Sequence, residues 1–157
     1  GDGAQWSRPR PQTTLQVGDT LFFTTTVRNT GLVAIRTGGP FDPADCYTLD
    51  QNRFTKGFTQ ESGAFRIGVD FESNTGMDHP FRWGVGTLAE LRVVDHEGGK
   101  LYYLDPGRQV EIHGCVRLNR IPSRNPFYVW VSLIQEDVEI ASINSHVSPL
   151  LVTLVKP

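Results

Sequence analysis

Residues 105–118 read DPGRQVEIHGCVRL, and residues 127–134 read FYVWVSLI; the fold class turns on these two stretches. In the first, Asp105-Pro106-Gly107 is a tight turn. Val110, Ile112, Val116 and Leu118 then share one parity, while Glu111, His113, Cys115 and Arg117 share the other. An apolar period of two is the signature of a strand with one face on a core. The second stretch is nearly all apolar, as expected of a central strand covered on both faces. Its inward set is expected to be Val129, Val131 and Leu133.

Working outward, the same period recurs. Residues 21–27 (LFFTTTV) place Leu21, Phe23 and Val27 on one face, with Thr24, Thr26 and Arg28 on the other, and Asn29-Thr30-Gly31 ends the strand. Residues 64–71 (AFRIGVDF) put Phe65, Ile67 and Val69 together. Residues 81–85, 88–94, 101–104 and 147–155 read as further strands, separated by turn clusters at 73–80 and 95–99. No long segment has the 3.6 period of a helix. Roughly seven to nine strands with turn signals about every ten residues predict an all-β, antiparallel immunoglobulin-like β-sandwich. Residues 38–62 lack a sustained period and form a long inserted loop, which a compact domain must brace. The predicted organisation is an extended arm over residues 1–12, stiffened by Arg8-Pro9-Arg10-Pro11, and one sandwich domain over residues 13–157.

Residues 17–31 (VGDTLFFTTTVRNTG) and 104–112 (LDPGRQVEI) resemble the first hairpin and a later turn and strand of bacterial immunoglobulin-like modules of the CARDB and DUF11 kind. That resemblance covers about 25 residues of the chain and implies a β-sandwich; modules of this kind act as stalks, adhesins and accessory domains.

Composition narrows the function. With 157 residues the chain has the size of one domain. A net charge of −2, and basic residues that never cluster, leave no footprint for nucleic acid. No apolar run approaches a membrane span. The chain opens Gly1-Asp2-Gly3 without methionine, which fits either a removed leader or a trimmed chain. Cys46 and Cys115 are 69 positions apart, far from the spacing of a zinc or redox motif. Because Cys115 shares the outward parity of His113 and Arg117, it is expected to bond Cys46 and fasten the insert across the outer face of the sheet. Two free thiols are the alternative, and a bulge at Gly114 would turn Cys115 inward.

Catalysis has no motif. G-x-S-x-G is absent, and Glu136 and Asp137, as strand neighbours, point apart. His79, His96, His113 and His146 lack metal-ligand spacing, and Asp42, Asp45, Asp70, Glu72 and Asp78 read as solvated loop carboxylates rather than a calcium site. No cofactor or metal is expected. The expected function is a non-enzymatic structural or interaction module of an extracellular or cell-surface assembly, binding a protein partner or its own copies. Trp6, with Arg8 and Arg10, would anchor that contact, the other reading being a frayed tail. The alternative is a carbohydrate-binding module, in which Trp83, Tyr47, Tyr102 and Tyr103 form a glycan-facing platform; a secreted enzyme is the weaker third. Exposure of those aromatics separates the first two.

Overall fold

The computed structural model describes residues 11–59, 61–137, 139–140 and 147–157. Among them there is no helix, and twelve strands form two sheets: β1 (Gln12–Gln16), β2 (Thr20–Arg28), β3 (Ile35–Thr37), β4 (Cys46–Thr48), β5 (Phe65–Phe71), β6 (Phe81–Gly84), β7 (Arg92–His96), β8 (Gly99–Leu104), β9 (Gln109–Arg117), β10 (Phe127–Gln135), β11 (Glu139–Ile140) and β12 (Val147–Val155). The larger sheet runs β1-β12-β10-β5-β3-β8-β7, with β6 also on β5 and β11 on β10. The smaller runs β2-β9-β4. Three pairings are parallel (β1–β12, β3–β5 and β4–β9), so the sheets are mixed and the expected purely antiparallel pattern holds only in part. β3 and β4 each precede a long connection that brings the chain back in the same sense, and β1 meets β12 from the far end of the described chain.

The two sheets share one core. Val110, Ile112, Val116 and Leu118 meet Ile67, Val69, Phe71, Phe81 and Val129 across it. β2 and β9 pair over nine consecutive positions without a register shift, so no bulge forms at Gly114. That glycine faces inward, and the Trp83 ring lies against it: an added Cβ would sit 2.9 Å from three ring carbons. The expected core set is buried except for Phe23, Val27, Phe65, Val131 and Leu133, which are half-buried. Four of these five line an open cleft, described below.

The insert is braced as its length requires. Cys46 and Cys115 are disulfide-bonded. The bond runs side by side in register between β4 and β9 of one sheet, because the middle of the insert supplies a short strand of its own. Tyr47, beside Cys46, is fully buried, donates its hydroxyl to the Arg82 carbonyl at 2.6 Å and meets Trp83 edge-on. Burial pushes its hydroxyl up to about 12. β1, β3, β4 and the two-residue β11 are the strands the residue pattern does not predict. β1 is polar and lies at a sheet edge, and the other three span two or three residues each, too short for a period to show. The segment assigned to the arm also gives up its last residue, since Gln12 already pairs with Leu151.

Candidate functional site

Two places combine polar or apolar side chains in a way that chemistry can use. The first is the outer face of the larger sheet, beneath the insert and the loop at 72–80. Arg66 and Asp70 on β5, Arg82 on β6, and Ser132 and Glu136 on and just after β10 share that face. Glu136 is 1% exposed and takes a hydrogen bond from Arg66 Nη1 at 2.9 Å on one oxygen and one from Arg82 Nη1 on the other. Arg53 Nη2, from the insert, is 3.6 Å away. Burial raises the Glu136 carboxyl, but the bond from Arg66 and the charges of Arg82 and Arg53 outweigh it and hold the group below the ordinary glutamate range. Arg66 also donates to the carbonyls of Gly39 and Thr59, at 2.9 and 3.1 Å, so the network holds the insert to the sheet.

Beside it, His79 Nε2 lies 3.1 Å from Ser132 Oγ, and His79 Nδ1 lies 2.8 Å from Asp78 Oδ1. This is the order of a nucleophile, base and orienting acid. Ser132 is 1% exposed and lies in mid-strand, with the His79 ring packed above it edge-on to Trp130. Asp78, His79 and Asp70 also bring three metal-ligand atoms within 4.8 Å. The two oxygens of Asp70 are taken up by the backbone N–H groups of Phe71 and His79 and by the Asn74 amide, which pins the 72–80 loop. Asp70 is therefore a buried loop anchor and not the solvated carboxylate the sequence suggests. Among the other carboxylates weighed for calcium, Asp45 pairs with Lys56 and Glu72 lies 3.6 Å from Arg124.

The second place is a cleft of about 560 Å³ between the two sheets. Phe23, Thr25 and Val27 of β2 line one side, Ile67, Val129, Val131 and Leu133 of β5 and β10 the other, with Pro11 and Leu150 at one rim and Arg28 among its polar groups. β2 bonds β9 along one edge; along its other edge no strand is paired among the described residues. An unpaired edge offers a row of backbone donors and acceptors, and the cleft beside it takes side chains that alternate along an extended chain.

The residues singled out in the sequence are dispersed. Tyr47 and Trp83 belong to the core, at 0% and 2% exposure, because both ring systems fill the space between the sheets, so neither faces a ligand. Trp83 Nε1 spends its proton on the Asp45 carbonyl at 2.9 Å. Tyr102 and Tyr103 are half-buried neighbours on β8 and so point to opposite faces; Phe41 packs on the first, and the Arg92 guanidinium lies over the second. No coplanar row remains among these four. Trp6, Arg8 and Arg10 lie outside the described residues. His113 contacts Thr24 and Glu111 on the outer face of the smaller sheet, at 3.3 and 3.1 Å, far in the fold from His79. The buried network had one signal in the sequence: Arg66, Asp70, Arg82 and Glu136 are charges on the outward parity of apolar strands, next to an insert long enough to cover them. No protein-family model, curated protein or solved structure matches this chain.

Proposed function

We propose that this chain is a non-enzymatic, immunoglobulin-like interaction module of an extracellular or cell-surface assembly, and that it binds by accepting an extended segment beside β2. The observation that carries the reading is the apolar cleft flanking the β2 edge that no strand pairs among the described residues. A segment laid there gains main-chain hydrogen bonds from the edge and apolar burial from the cleft, the two contributions that strand addition needs. The disulfide and the resemblance of residues 17–31 and 104–112 to bacterial immunoglobulin-like modules support the location and type. Burial of Tyr47 and Trp83 removes half of the aromatics on which glycan binding would rest. Burial of Ser132 argues against hydrolysis, and a fluorophosphonate probe is expected to leave native protein unlabelled; stoichiometric labelling of Ser132 would reverse the non-enzymatic assignment.

Titrating isotope-labelled protein with an octapeptide of alternating valine and threonine tests the binding mode. The expected result is amide shift changes concentrated in β2 and in the Val129–Leu133 stretch of β10. Changes confined to other strands, or none at millimolar peptide, would sink it.

A further inference from the structure

We propose that Asp70, Asp78 and His79 form a binding site for a first-row divalent cation of the zinc type, which clamps the 72–80 loop onto the larger sheet. The first argument is convergence. Asp70 lies near the end of β5, and Asp78 and His79 close the loop that follows. One ligand atom from each lies within 4.8 Å of the other two. His79 Nδ1 is the centre of the group, 2.8 Å from Asp78 Oδ1 and 3.7 Å from Asp70 Oδ2. Two ionised carboxylate oxygens only accept, so the space they share with this ring nitrogen calls for a proton or a cation. Ligands bound tetrahedrally to zinc stand about 3.3 Å from one another, which falls between the two distances seen here.

The second argument is the support around these three residues. His79 is 3% exposed, and its other ring nitrogen, Nε2, lies 3.1 Å from Ser132 Oγ. A hydroxyl there can take the Nε2 proton and leave the Nδ1 lone pair for a metal, the arrangement that orients histidine ligands in metal sites. Asp70 Oδ1 accepts from Phe71 N and the Asn74 amide at 2.9 and 2.8 Å. Oδ2, the oxygen nearer His79 Nδ1, accepts from His79 N at 3.1 Å and keeps a second lone pair. The Arg82 guanidinium donates to the carbonyls of Asp78 and His79, each at 2.9 Å, and the Asn74 amide donates to the Met77 carbonyl at 2.8 Å. The loop backbone is thus set without an ion, and the charge of Arg82 is opposed by Glu136. The Asp78 side chain is 63% exposed and opens the cluster to solvent.

The donor set names the class of ion. Calcium and magnesium take oxygen ligands, whereas an imidazole nitrogen beside carboxylates suits zinc and its first-row neighbours. Two carboxylates and a neutral imidazole offset the two charges of such a cation, and three protein ligands leave a position for water.

The test uses the full chain, stripped with a chelator and titrated calorimetrically with zinc chloride. Saturation at one ion per chain is expected, with micromolar or tighter affinity and a melting temperature that rises with zinc, because only the folded chain assembles the site. Asp78→Asn alters an exposed side chain, so it is expected to fold as wild type by circular dichroism and to bind about tenfold more weakly or worse. Replacing His96, His113 and His146 together with alanine is expected to leave the affinity unchanged. His79→Gln is expected to abolish binding; if that variant fails to fold, a zinc-induced change in the His79 ring-nitrogen shift of wild type takes its place. No saturable binding at submillimolar zinc, or an unmoved His79 ring, overturns the proposal and leaves the Asp78–His79 contact a hydrogen bond alone. Equal affinity in wild type and Asp78→Asn, or binding lost with the three other histidines, also overturns it, because the ion then sits elsewhere.

Discussion

Single residues hold this fold at points where no substitute has the right shape or charge. Gly114 is one: any side chain there enters the Trp83 ring, which is itself 2% exposed and cannot withdraw. Gly114→Val is expected to cost about 1–3 kcal/mol through overpacking, or more if β6 shifts, with a changed near-ultraviolet tryptophan signal. An unchanged urea midpoint would mean that the ring has room to move. Glu136 is the other. It is a single carboxylate facing Arg66, Arg82 and Arg53, and removing its charge leaves those cations buried without a counter-ion. Glu136→Gln is expected to destabilise by about 3–5 kcal/mol at neutral pH. Because the folded carboxyl titrates below its ordinary range, its contribution is complete above the unfolded value of about 4.3 and disappears as pH falls through the lower folded value. The gap between wild type and Glu136→Gln should therefore narrow as pH falls below about 4, in paired urea titrations. A gap independent of pH would show that the carboxylate does not titrate with folding.

At the scale of elements, β10 shows how one strand serves two purposes. Phe127 and Val129 are buried at its beginning, while Val131 and Leu133, on the same parity, are half-buried because they face the cleft. Alternation alone treats these residues as equivalent. Val129→Ala is expected to cost about 1–3 kcal/mol and Val131→Ala less than about 1 kcal/mol, since Val129 is buried and Val131 is already half-exposed. Equal losses in denaturant unfolding would mean that the cleft is closed in solution. The opposite face of β10 buries Ser132 and Ile134, with Glu136 just beyond, so that face is covered as the apolar run predicts, but part of the cover is a charged network. The charges of that network stood out on apolar strands, but their burial was not readable in advance. A charged residue on a strand looks solvated until something distant in sequence is known to lie over it, and Arg53 and Glu136 are joined only by the path of the insert.

For the whole molecule, the disulfide ties the insert to the middle of the chain. It closes a loop with a sequence separation of 69 residues, which is worth up to roughly 4 kcal/mol in the chain-entropy account. Replacing Cys46 and Cys115 together with alanine is expected to lower the melting temperature by ten degrees or so, while leaving the far-ultraviolet spectrum that of a β-protein. A melting temperature within one degree of wild type would show that the buried network alone holds the insert. Since β4 pairs directly with β9, loss of the bond is also expected to free the edge of the smaller sheet opposite β2, and hydrogen exchange at Tyr47 and Thr48 should quicken first.

Sequence alone determined that the chain is all-β, which strands are long and which parity of β9 faces inward. Each is settled by a period of two, a local property of a pleated chain. The Cys46–Cys115 bond was an expectation with two free thiols as its alternative, and the structure shows the bond. Tertiary structure decided the rest. The parallel pairings depend on where long connections return. The fate of Tyr47 and Trp83 depends on the space between two sheets, which takes rings that a surface would also have accepted. The open cleft beside β2 is a gap between elements, and no residue pattern within one strand encodes whether the neighbouring place is filled.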